Sequence, residues 1–199
     1  TWWISGLTPA LVAVTVAMTI FPWSAGLRVI FDPFCPIDDI DIRFMELKPN
    51  YWAMIPMMCD IMMKSSRIPE DYDMSHLRSI GPGAEQMSER KYREAEEFFR
   101  RHNCMQTISA GYGQSEGGSC FTLPNPLFPL KDGCVGMPLP ATVLAAFDSE
   151  TLKEKDYGEI GEICMKGPGM MLGYSGYMGE EKTEQTLIVH PDGEKWLHT

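Results

Sequence analysis

The sequence has few basic residues and no charged residue before Arg28. Lys and Arg number 17 against 27 Asp and Glu, which gives a formal net charge of −10. Proteins bind nucleic acid backbones through clustered Lys and Arg, so this balance disfavours a nucleic-acid partner. It also disfavours attachment to anionic lipid. Anionic substrates must therefore be met by local hydrogen-bond donors or by a metal ion.

The sequence also lacks any cysteine pair with metal or redox spacing. Six cysteines are spread along the chain, and the nearest two, Cys120 and Cys134, are 14 positions apart. Zinc and thioredoxin-like motifs need much closer pairs. The spacing predicts reduced thiols in an intracellular protein, and we expect a cytoplasmic location.

No uninterrupted apolar run is long enough to cross a bilayer. Pro9 and Pro22 bracket the apolar segment Ala10–Phe21, and a helix of that length reaches only about 18 Å. A bilayer requires about 20 apolar residues, so we expect a buried helix over residues 8–21 and no transmembrane segment. The chain has neither an initial Met nor a basic leader, which indicates an internal piece of a longer protein without a signal peptide.

Short apolar runs alternate with amphipathic segments in the first two thirds of the chain. The predicted strands are Leu27–Phe31, Tyr51–Ile55, Leu77–Ile80 and Cys104–Ser109. The predicted helices are Asp38–Leu47, residues 56–64, and a helix capped by Ser88 and stopped by Asn103, with a solvated charged face. This alternation predicts a layered α/β lobe over residues 1–128.

The residue pattern changes from about Gly133. Strand-like runs such as Val143–Phe147 and Glu159–Met165 are separated there by turns of Gly, Pro and Asp. We therefore predict an α/β fold whose second lobe, residues 129–199, is β-rich.

A glycine turn follows the last predicted strand of the first lobe. Gly111 and Gly113 permit a close approach of the backbone to a ligand, and Tyr112 between them offers a ring face to a flat base. Ser115 offers a hydroxyl to a phosphate oxygen. Glu116 is a hard oxygen ligand suited to Mg²⁺, and a carboxylate beside phosphate makes sense only with a metal.

Other readings of the turn stay open at this point. It can be a plain glycine turn with a surface Glu. The run Gly113–Gly117 formally matches the G-x-S-x-G elbow of serine hydrolases, with Ser115 as nucleophile and His190 or His198 as base. A dinucleotide-binding fingerprint is a weaker match. Both enzyme motifs need a helix after the turn, and the residues that follow are poor helix formers.

Several segments, in order and spacing, resemble the adenylate-forming superfamily, which includes acyl-CoA synthetases, amino-acid adenylation domains and firefly luciferase. The resemblance covers nearly the whole chain, and several motifs in order are more specific than any single one. It implies that the β-rich lobe, residues 129–199, is distorted barrel-like and truncated at its C-terminal end. The matching segments are residues 2–6 (WWISG), 80–84 (IGPGA), 111–116 (GYGQSE), 133–140 (GCVGMPLP), 157–163 (YGEIGEI), 166–174 (KGPGMMLGY) and 196–199 (WLHT).

The resemblance implies roles for residues that match the family's motifs. Ser115 and Glu116 would be the catalytic residues, with Ser115 on phosphate and Glu116 on Mg²⁺. The implied ATP and AMP contacts are Gly83, Ala84, Glu85, Ala110, Gly111, Tyr112, Gly113, Gln114 and Ser115. The implied acyl pocket comprises Trp3, Gly81, Gly111, Val135 and Gly136.

Two positions depart from the family pattern. Ala110 stands where Asn often reads the adenine amino group, so a backbone carbonyl would have to serve. Trp3 stands where amino-acid-activating relatives carry an Asp that pairs with the substrate ammonium. Because burying an unpaired ammonium is costly, the resemblance implies a carboxylic acid without an α-amino group. The other reading of Trp3 is a plain core residue.

The implied activity is that of a carboxylate–CoA ligase. It would activate an organic acid, fatty or aryl, with ATP and Mg²⁺, and would transfer the acyl group to coenzyme A. Family segments expected before Thr1 and after Thr199 are missing, so the isolated chain is predicted to be inactive. The alternatives are a serine hydrolase and a non-catalytic nucleotide-binding module. The sequence specifies no oligomeric state.

Overall fold

The computed structural model describes residues 1–83, 87–106, 108, 110–125 and 133–199. The chain divides into two compact units. The first comprises Thr1–Gly111 and Pro124–Gly136, and the second comprises Tyr112–Leu123 and Met137–Thr199. The predicted lobe boundary at residues 128 and 129 lies outside the described residues.

The first unit is built on a four-stranded parallel sheet. Its strands are β1 (Trp2–Ser5), β2 (Val29–Asp32), β3 (Tyr51–Met54) and β4 (Ser79–Pro82), in the order β2-β1-β3-β4. Parallel neighbours need crossover connections, usually helical ones, and the amphipathic segments of the sequence supply them. The predicted α/β layer is confirmed. Of the fourth predicted strand, Ile108 forms a parallel bridge with Ile80, while Thr107 and Ser109 lie outside the described residues.

In the described part of this unit, four α-helices accompany the sheet. They are α1 (Phe21–Ser24), α2 (Ile40–Leu47), α3 (Pro56–Lys64) and α4 (Glu89–Arg101). The core lies between helices and sheet, where Trp3 stacks on Trp52 with ring centroids 5.5 Å apart and Phe44 of α2 packs against both. Burial of large aromatic rings makes this cluster a main source of the unit's stability.

Helix α4 begins and ends where its sequence predicts. The Ser88 hydroxyl accepts a hydrogen bond from the Lys91 backbone N–H at 3.4 Å, as an N-cap does. The chain leaves the helix through Asn103, whose φ is +63°. Ala95, Phe98 and Phe99 are buried, while the opposite face carries exposed ion pairs. The predicted solvated charged face is confirmed.

The N-terminal helix differs from its prediction. Residues Ala13–Ile20 are π-helical and continue directly into α1, so the helical path passes through Pro22. Proline lacks the N–H that an α-helix needs, and a wider π turn is one way to accommodate it. The prediction of a buried helix over residues 8–21 was wrong: Val14 is buried, but Ile20 is 53% and Phe21 58% exposed.

A fully buried carboxylate joins α2 to the segment after α3. Asp41 accepts hydrogen bonds from the Arg67 guanidinium, from the Ser65 hydroxyl and from the Ile42 N–H. Burial alone would raise the pKa of Asp41, but these hydrogen bonds outweigh it and the pKa is lowered. The ion pair therefore stabilises the fold while Asp41 is ionised.

Arg67→Met is expected to lower the free energy of unfolding by about 2–3 kcal/mol at neutral pH, because it strands a buried charge. A lowered folded-state pKa means that the stabilisation is present above the unfolded-state pKa, about 3.9, and is lost as pH falls through the folded value. Urea unfolding at pH 7 and pH 3 should therefore give a smaller difference at pH 3. Arg43→Met, which removes partly exposed ion pairs to Asp32 and Glu46, should cost under about 1 kcal/mol. Equal losses for both variants would contradict the argument.

The second unit contains a four-stranded antiparallel sheet and a short hairpin-like pair. The sheet comprises β7 (Val143–Phe147), β8 (Glu162–Lys166), β10 (Lys195–His198) and β9 (Leu187–Val189), in that order. The pair comprises β5 (Thr122–Leu123) and β6 (Met137–Pro138). The predicted β-rich character is confirmed, although β8 begins at Glu162 and not at residue 159.

The unit also contains a helix that was not predicted, α5 (Gly179–Thr186). Its helix-forming run of Glu and Lys was available in the sequence but carries little apolar periodicity. Within the described residues, no helix has the length and apolarity to cross a membrane.

Candidate functional site

Tyr112, in the glycine turn, is held by contacts of its backbone, its ring and its hydroxyl with Thr122, Phe121 and Thr199. Its backbone N–H donates to the Thr122 hydroxyl at 3.0 Å, and its carbonyl accepts from Phe121 N–H at 2.7 Å. Its ring lies at 82° to the Phe121 ring, with centroids 5.7 Å apart. Its hydroxyl donates to Thr199 Oγ1 at 2.7 Å. A half-buried ring fixed at its edge and its hydroxyl is a suitable platform for a flat ligand.

Gly113 is required by the packing of the turn against its own chain. A Cβ at this position would lie 2.0 Å from the Ser119 carbonyl oxygen and 2.5 Å from Cys120 Cα. Both neighbours are backbone atoms, which cannot swing away as a side chain can. The sequence interpretation assigned this glycine to ligand approach, whereas the structure gives it an internal reason.

Ser115 and Glu116 lie on a single 3₁₀ turn, Ser115–Gly117, which ends at Gly118 with φ +84°. The Glu116 carboxylate accepts a hydrogen bond from the Tyr174 hydroxyl at 2.8 Å. Its backbone carbonyl accepts from Met171 N–H at 2.7 Å. The segment after β8 therefore fixes both the backbone and the side chain of Glu116.

Tyr174 is a contact that the residue pattern did not identify. The hydrogen bond to the Glu116 carboxylate, together with desolvation, raises the pKa of the Tyr174 hydroxyl, so the phenol stays a donor. In the sequence, Tyr174 is the last residue of the KGPGMMLGY segment, and the family resemblance gave it no role. Tyr174 and Glu116 are 58 positions apart, and local spacing cannot reveal such a pair.

The donor set around Glu116 fits a magnesium ion. Mg²⁺ is usually bound through one or two carboxylates and the phosphates of its nucleotide, with water completing the shell. The Tyr174 hydroxyl occupies one oxygen of Glu116, which leaves the other oxygen for a metal. Ser115, which is exposed, lies beside it on the same turn.

Two predicted site residues of the first unit, Gly81 and Gly83, lie within and just after strand β4. Gly81 lies on β4 in register with Ala53, and the Gly83 N–H donates to the Met54 carbonyl at 2.9 Å. Ligands of open parallel sheets bind outside the carboxyl ends of the strands, and Gly83 occupies such an end. Ala84 and Glu85 lie outside the described residues.

Trp3 lies in the core. Its side chain is completely buried between Trp52 and Phe44, and its indole Nε1 has no hydrogen-bond partner among the described residues. These contacts favour the core reading over a pocket-lining role, and the predicted acyl contact of Trp3 has no support from its contacts.

The remaining predicted residues divide between the two units. Ala110 and Gly111, both half-buried, close the first unit, to which Val135 and Gly136 also belong. Gln114 belongs to the second unit with Tyr112, Gly113, Ser115 and Glu116. Its side-chain amide donates to the His198 carbonyl at 3.4 Å.

The geometry does not support a hydrolase triad at Ser115. The turn is followed by Gly118 and strand β5 and not by the helix that a nucleophile elbow requires. His198 binds Glu162 through Nδ1 at 3.0 Å and faces His190 Nε2 through its own Nε2 at 2.8 Å. His198 is thus engaged at both ring nitrogens, and His190 Nδ1 has no partner among the described atoms.

Cys164, His190 and His198 are buried, and their donor atoms lie within 4.8 Å of one another. Two nitrogens on one zinc ion, each at about 2.0 Å, would lie about 3.3 Å apart in a tetrahedral site. The observed 2.8 Å between the two Nε2 atoms is instead a direct hydrogen bond. Burial and the charge of Glu162 raise the pKa of the Cys164 thiol to about 12, which opposes the thiolate that a metal would need.

Residues 3–175 match the family described as AMP-binding enzyme. The chain belongs to this family. It is 34% identical over 157 residues to a probable 4-coumarate–CoA ligase 2 of Dictyostelium discoideum, a match that covers 76% of this chain and 27% of the relative. It is 33% identical over 146 residues to luciferin 4-monooxygenase of Luciola mingrelica, covering 73% of this chain and 24% of the relative.

The fold also matches solved structures of the family's kind. The chain superposes on apo MatB from Rhodopseudomonas palustris with a TM-score of 0.80 at 24% identity, covering 99% of this chain and 36% of that one. This likeness establishes the fold and confirms the predicted α/β fold class. The chain spans about a quarter of the length of these two curated relatives.

Proposed function

We propose that the protein to which this chain belongs is an ATP-dependent carboxylate–CoA ligase that forms an acyl-adenylate. The observation that carries the proposal is the Glu116 carboxylate. It stands on a tight turn directly after the Tyr112 platform, and Tyr174 and Met171 hold its side chain and backbone. Mg²⁺ is usually bound beside nucleotide phosphates through one or two carboxylates, and the neighbouring aromatic ring can stack on the base.

The reaction has two steps. A carboxylate oxygen of the substrate attacks the α-phosphorus of ATP, the bond to the bridging oxygen breaks, and pyrophosphate leaves. The thiol sulfur of coenzyme A then attacks the acyl carbon, and AMP leaves. Mg²⁺, when bound, neutralises phosphate charge that would otherwise repel the incoming carboxylate.

The chain's own residues bind and orient in this scheme. Tyr112 stacks on the base, Ser115 donates to a phosphate oxygen, and Glu116 carries the metal. Catalysis of this kind is mainly positioning and charge stabilisation. No residue of the chain has to form a covalent intermediate.

The substrate we propose is an aryl or fatty acid without an α-amino group. Trp3 offers no carboxylate to an ammonium group, and its ring is packed in the core. Similarity to proteins named 4-coumarate–CoA ligase and luciferin 4-monooxygenase supports an aryl acid. A structure named as a long-chain-fatty-acid–CoA ligase from Archaeoglobus fulgidus has the same fold, with a TM-score of 0.73 at 20% identity.

The proposal is tested on the complete protein. Purified enzyme with ATP, Mg²⁺ and a panel of aryl and fatty acids should release pyrophosphate only when an accepted acid is present. Addition of coenzyme A should then convert the adenylate to a thioester, measured by mass spectrometry. A folded enzyme that releases no pyrophosphate with any acid overturns the proposal. Acid-independent labelling of Ser115 by a fluorophosphonate would favour the hydrolase instead.

The isolated chain of 199 residues is expected to show no acid-dependent pyrophosphate release. It spans about a quarter of its curated relatives, and the remaining length would supply further contacts to ATP. Assaying the chain beside the complete protein checks this expectation. Release by the chain at more than about 1% of the full-length rate would contradict it.

A further inference from the structure

A buried polar cluster lies in the second unit beside the Tyr112 turn, and the proposed reaction does not use it. Glu162 of β8 accepts a hydrogen bond from His198 Nδ1 at 3.0 Å. His198 Nε2 faces His190 Nε2 at 2.8 Å. His190 is 4% exposed and the His198 side chain 8%, and His190 packs on the rings of Phe147 and Trp196. Pairing matters in such a cluster because a buried polar atom without a partner is costly; here His190 Nδ1 has no partner among the described atoms.

The cluster fixes the orientation of the His198 imidazole. The Glu162 carboxylate accepts a hydrogen bond from His198 Nδ1–H. The two facing Nε2 atoms share one hydrogen bond, in which one ring donates and the other accepts. Burial and the neighbouring His198 lower the pKa of His190, which supports a neutral ring in that position. A carboxylate orients a histidine in this way in many active sites. Here, however, both ring nitrogens of His198 are engaged by Glu162 and His190.

The same end of β10 contacts the Tyr112 turn through the His198 carbonyl and the Thr199 hydroxyl. The His198 carbonyl accepts from the Gln114 amide at 3.4 Å. The Thr199 hydroxyl accepts from Tyr112 at 2.7 Å and donates to the Ile163 carbonyl at 2.7 Å. Hydrogen bonds thus join Glu162 to His198 and Ile163 to Thr199. His198 and Thr199 in turn present two acceptors to the turn, the His198 carbonyl and the Thr199 hydroxyl.

We propose that Glu162 and His198 are positioning residues for the nucleotide, acting through Thr199 on Tyr112. They touch neither base nor phosphate. They hold the end of β10 in the place where Thr199 receives the Tyr112 hydroxyl and the His198 carbonyl receives Gln114. The inference rests on the proposed function, since it assigns Tyr112 to the base of ATP. It gives a purpose to the YGEIGEI and WLHT segments, for which no residue role had been assigned.

The test compares variants of the complete enzyme that keep or remove the Glu162–His198 bond. Asn places its amide nitrogen where histidine has Nδ1, so His198→Asn keeps the donor to Glu162. His198→Gln places its amide nearer Nε2 and loses that donor. We expect Glu162→Ala and His198→Gln to raise the KM for ATP about tenfold. His198→Asn should raise it clearly less, and the KM values for the acid and for coenzyme A should stay within about twofold in all three.

A purely structural role predicts a different pattern. It would lower the melting temperature and the active fraction of all three variants, with the KM for ATP unchanged, and that result overturns the proposal. Equal KM values for His198→Asn and His198→Gln would also overturn it, because the Glu162 bond would then be irrelevant. A control substitution, Glu181→Ala on the exposed face of α5, should change neither quantity.

Calorimetry with Mg·ATP on the same proteins keeps this inference separate from the ligase proposal. Wild-type protein that binds ATP but releases no pyrophosphate would refute the ligase, while weaker ATP binding by Glu162→Ala would still support the positioning role. Equal ATP affinity in wild type and Glu162→Ala refutes the positioning role. A folded wild-type protein that does not bind ATP refutes both.

Discussion

Glu116→Gln is expected to lower acid-dependent pyrophosphate release by the complete enzyme about a hundredfold to a thousandfold. Glutamine has the shape of glutamate and still offers an oxygen to the Tyr174 hydroxyl, which lies 2.8 Å from the carboxylate. It lacks the negative charge that a hard divalent cation prefers. Removing one fixed electrostatic contact to developing phosphate charge has losses of this order in other enzymes. The measurement is pyrophosphate release over a range of Mg²⁺ concentrations, with a higher apparent Mg²⁺ requirement expected.

Two further variants make the Glu116 result specific. Tyr174→Phe removes the donor to Glu116 but leaves the charge, so its loss should be under about tenfold. Glu181→Gln changes an exposed carboxylate on α5 and should behave as wild type. Each variant should unfold within about 0.5 kcal/mol of wild type, since no core contact is changed. A Glu116→Gln enzyme with an unaltered rate at every Mg²⁺ concentration would exclude the metal role.

Gly113→Ala is expected to reduce adenylation about a hundredfold. The added methyl group would lie 2.0 Å from the Ser119 carbonyl oxygen and 2.5 Å from Cys120 Cα, so the backbone of the turn must move. Displacement of Ser115 and Glu116 by about 1 Å is enough for a loss of this size when catalysis depends on placement. The overpacking should also lower the free energy of unfolding by about 1–3 kcal/mol. Pyrophosphate release and urea unfolding of the same preparation measure both effects.

The matched control for Gly113 is Gly26→Ala. Gly26 has φ +71°, and a Cβ there meets no heavy atom within 4 Å, so only the backbone conformation is strained. We expect a loss of about 1 kcal/mol in stability and no change in adenylation. If Gly113→Ala proved no worse than Gly26→Ala in the activity assay, close packing of the turn would not be what places Glu116.

The elements that the sequence predicted well are those whose signal is local. Helix α4 has a cap at Ser88, an apolar face and a stop at Asn103, so its bounds follow from neighbouring residues. Strand β7 matches its predicted span, Val143–Phe147, because alternation and flanking turns bound it. Helix α5 was missed since its residues are helix formers without an apolar stripe, and periodicity is the main sequence signal.

The exposure of the N-terminal helix shows a different limit. Its apolar composition indicated burial, yet Phe21 and Trp23 are largely exposed. Composition states only that apolar surface is present, and whether another element covers it depends on tertiary contacts. The turn from Gly111 to Glu116 was identified from its residue types, but its supports were not. Tyr174 and Thr199 are distant in sequence, and nothing in local spacing indicates that they would meet Glu116 and Tyr112.

The hydrogen bond between Tyr112 and Thr199 joins residues separated by 87 positions. Closing so long a loop has an entropic cost that must be met before the contact can form, and contacts of high sequence separation are made slowly. During synthesis, the Tyr112 hydroxyl can therefore bind Thr199 only after the end of β10 has left the ribosome. Thr122 and Phe121, which lie close to it in the sequence, are partners that it can contact earlier. A nascent chain should accordingly begin to bind nucleotide only late in translation. The chain length at which binding begins would show when β10 docks.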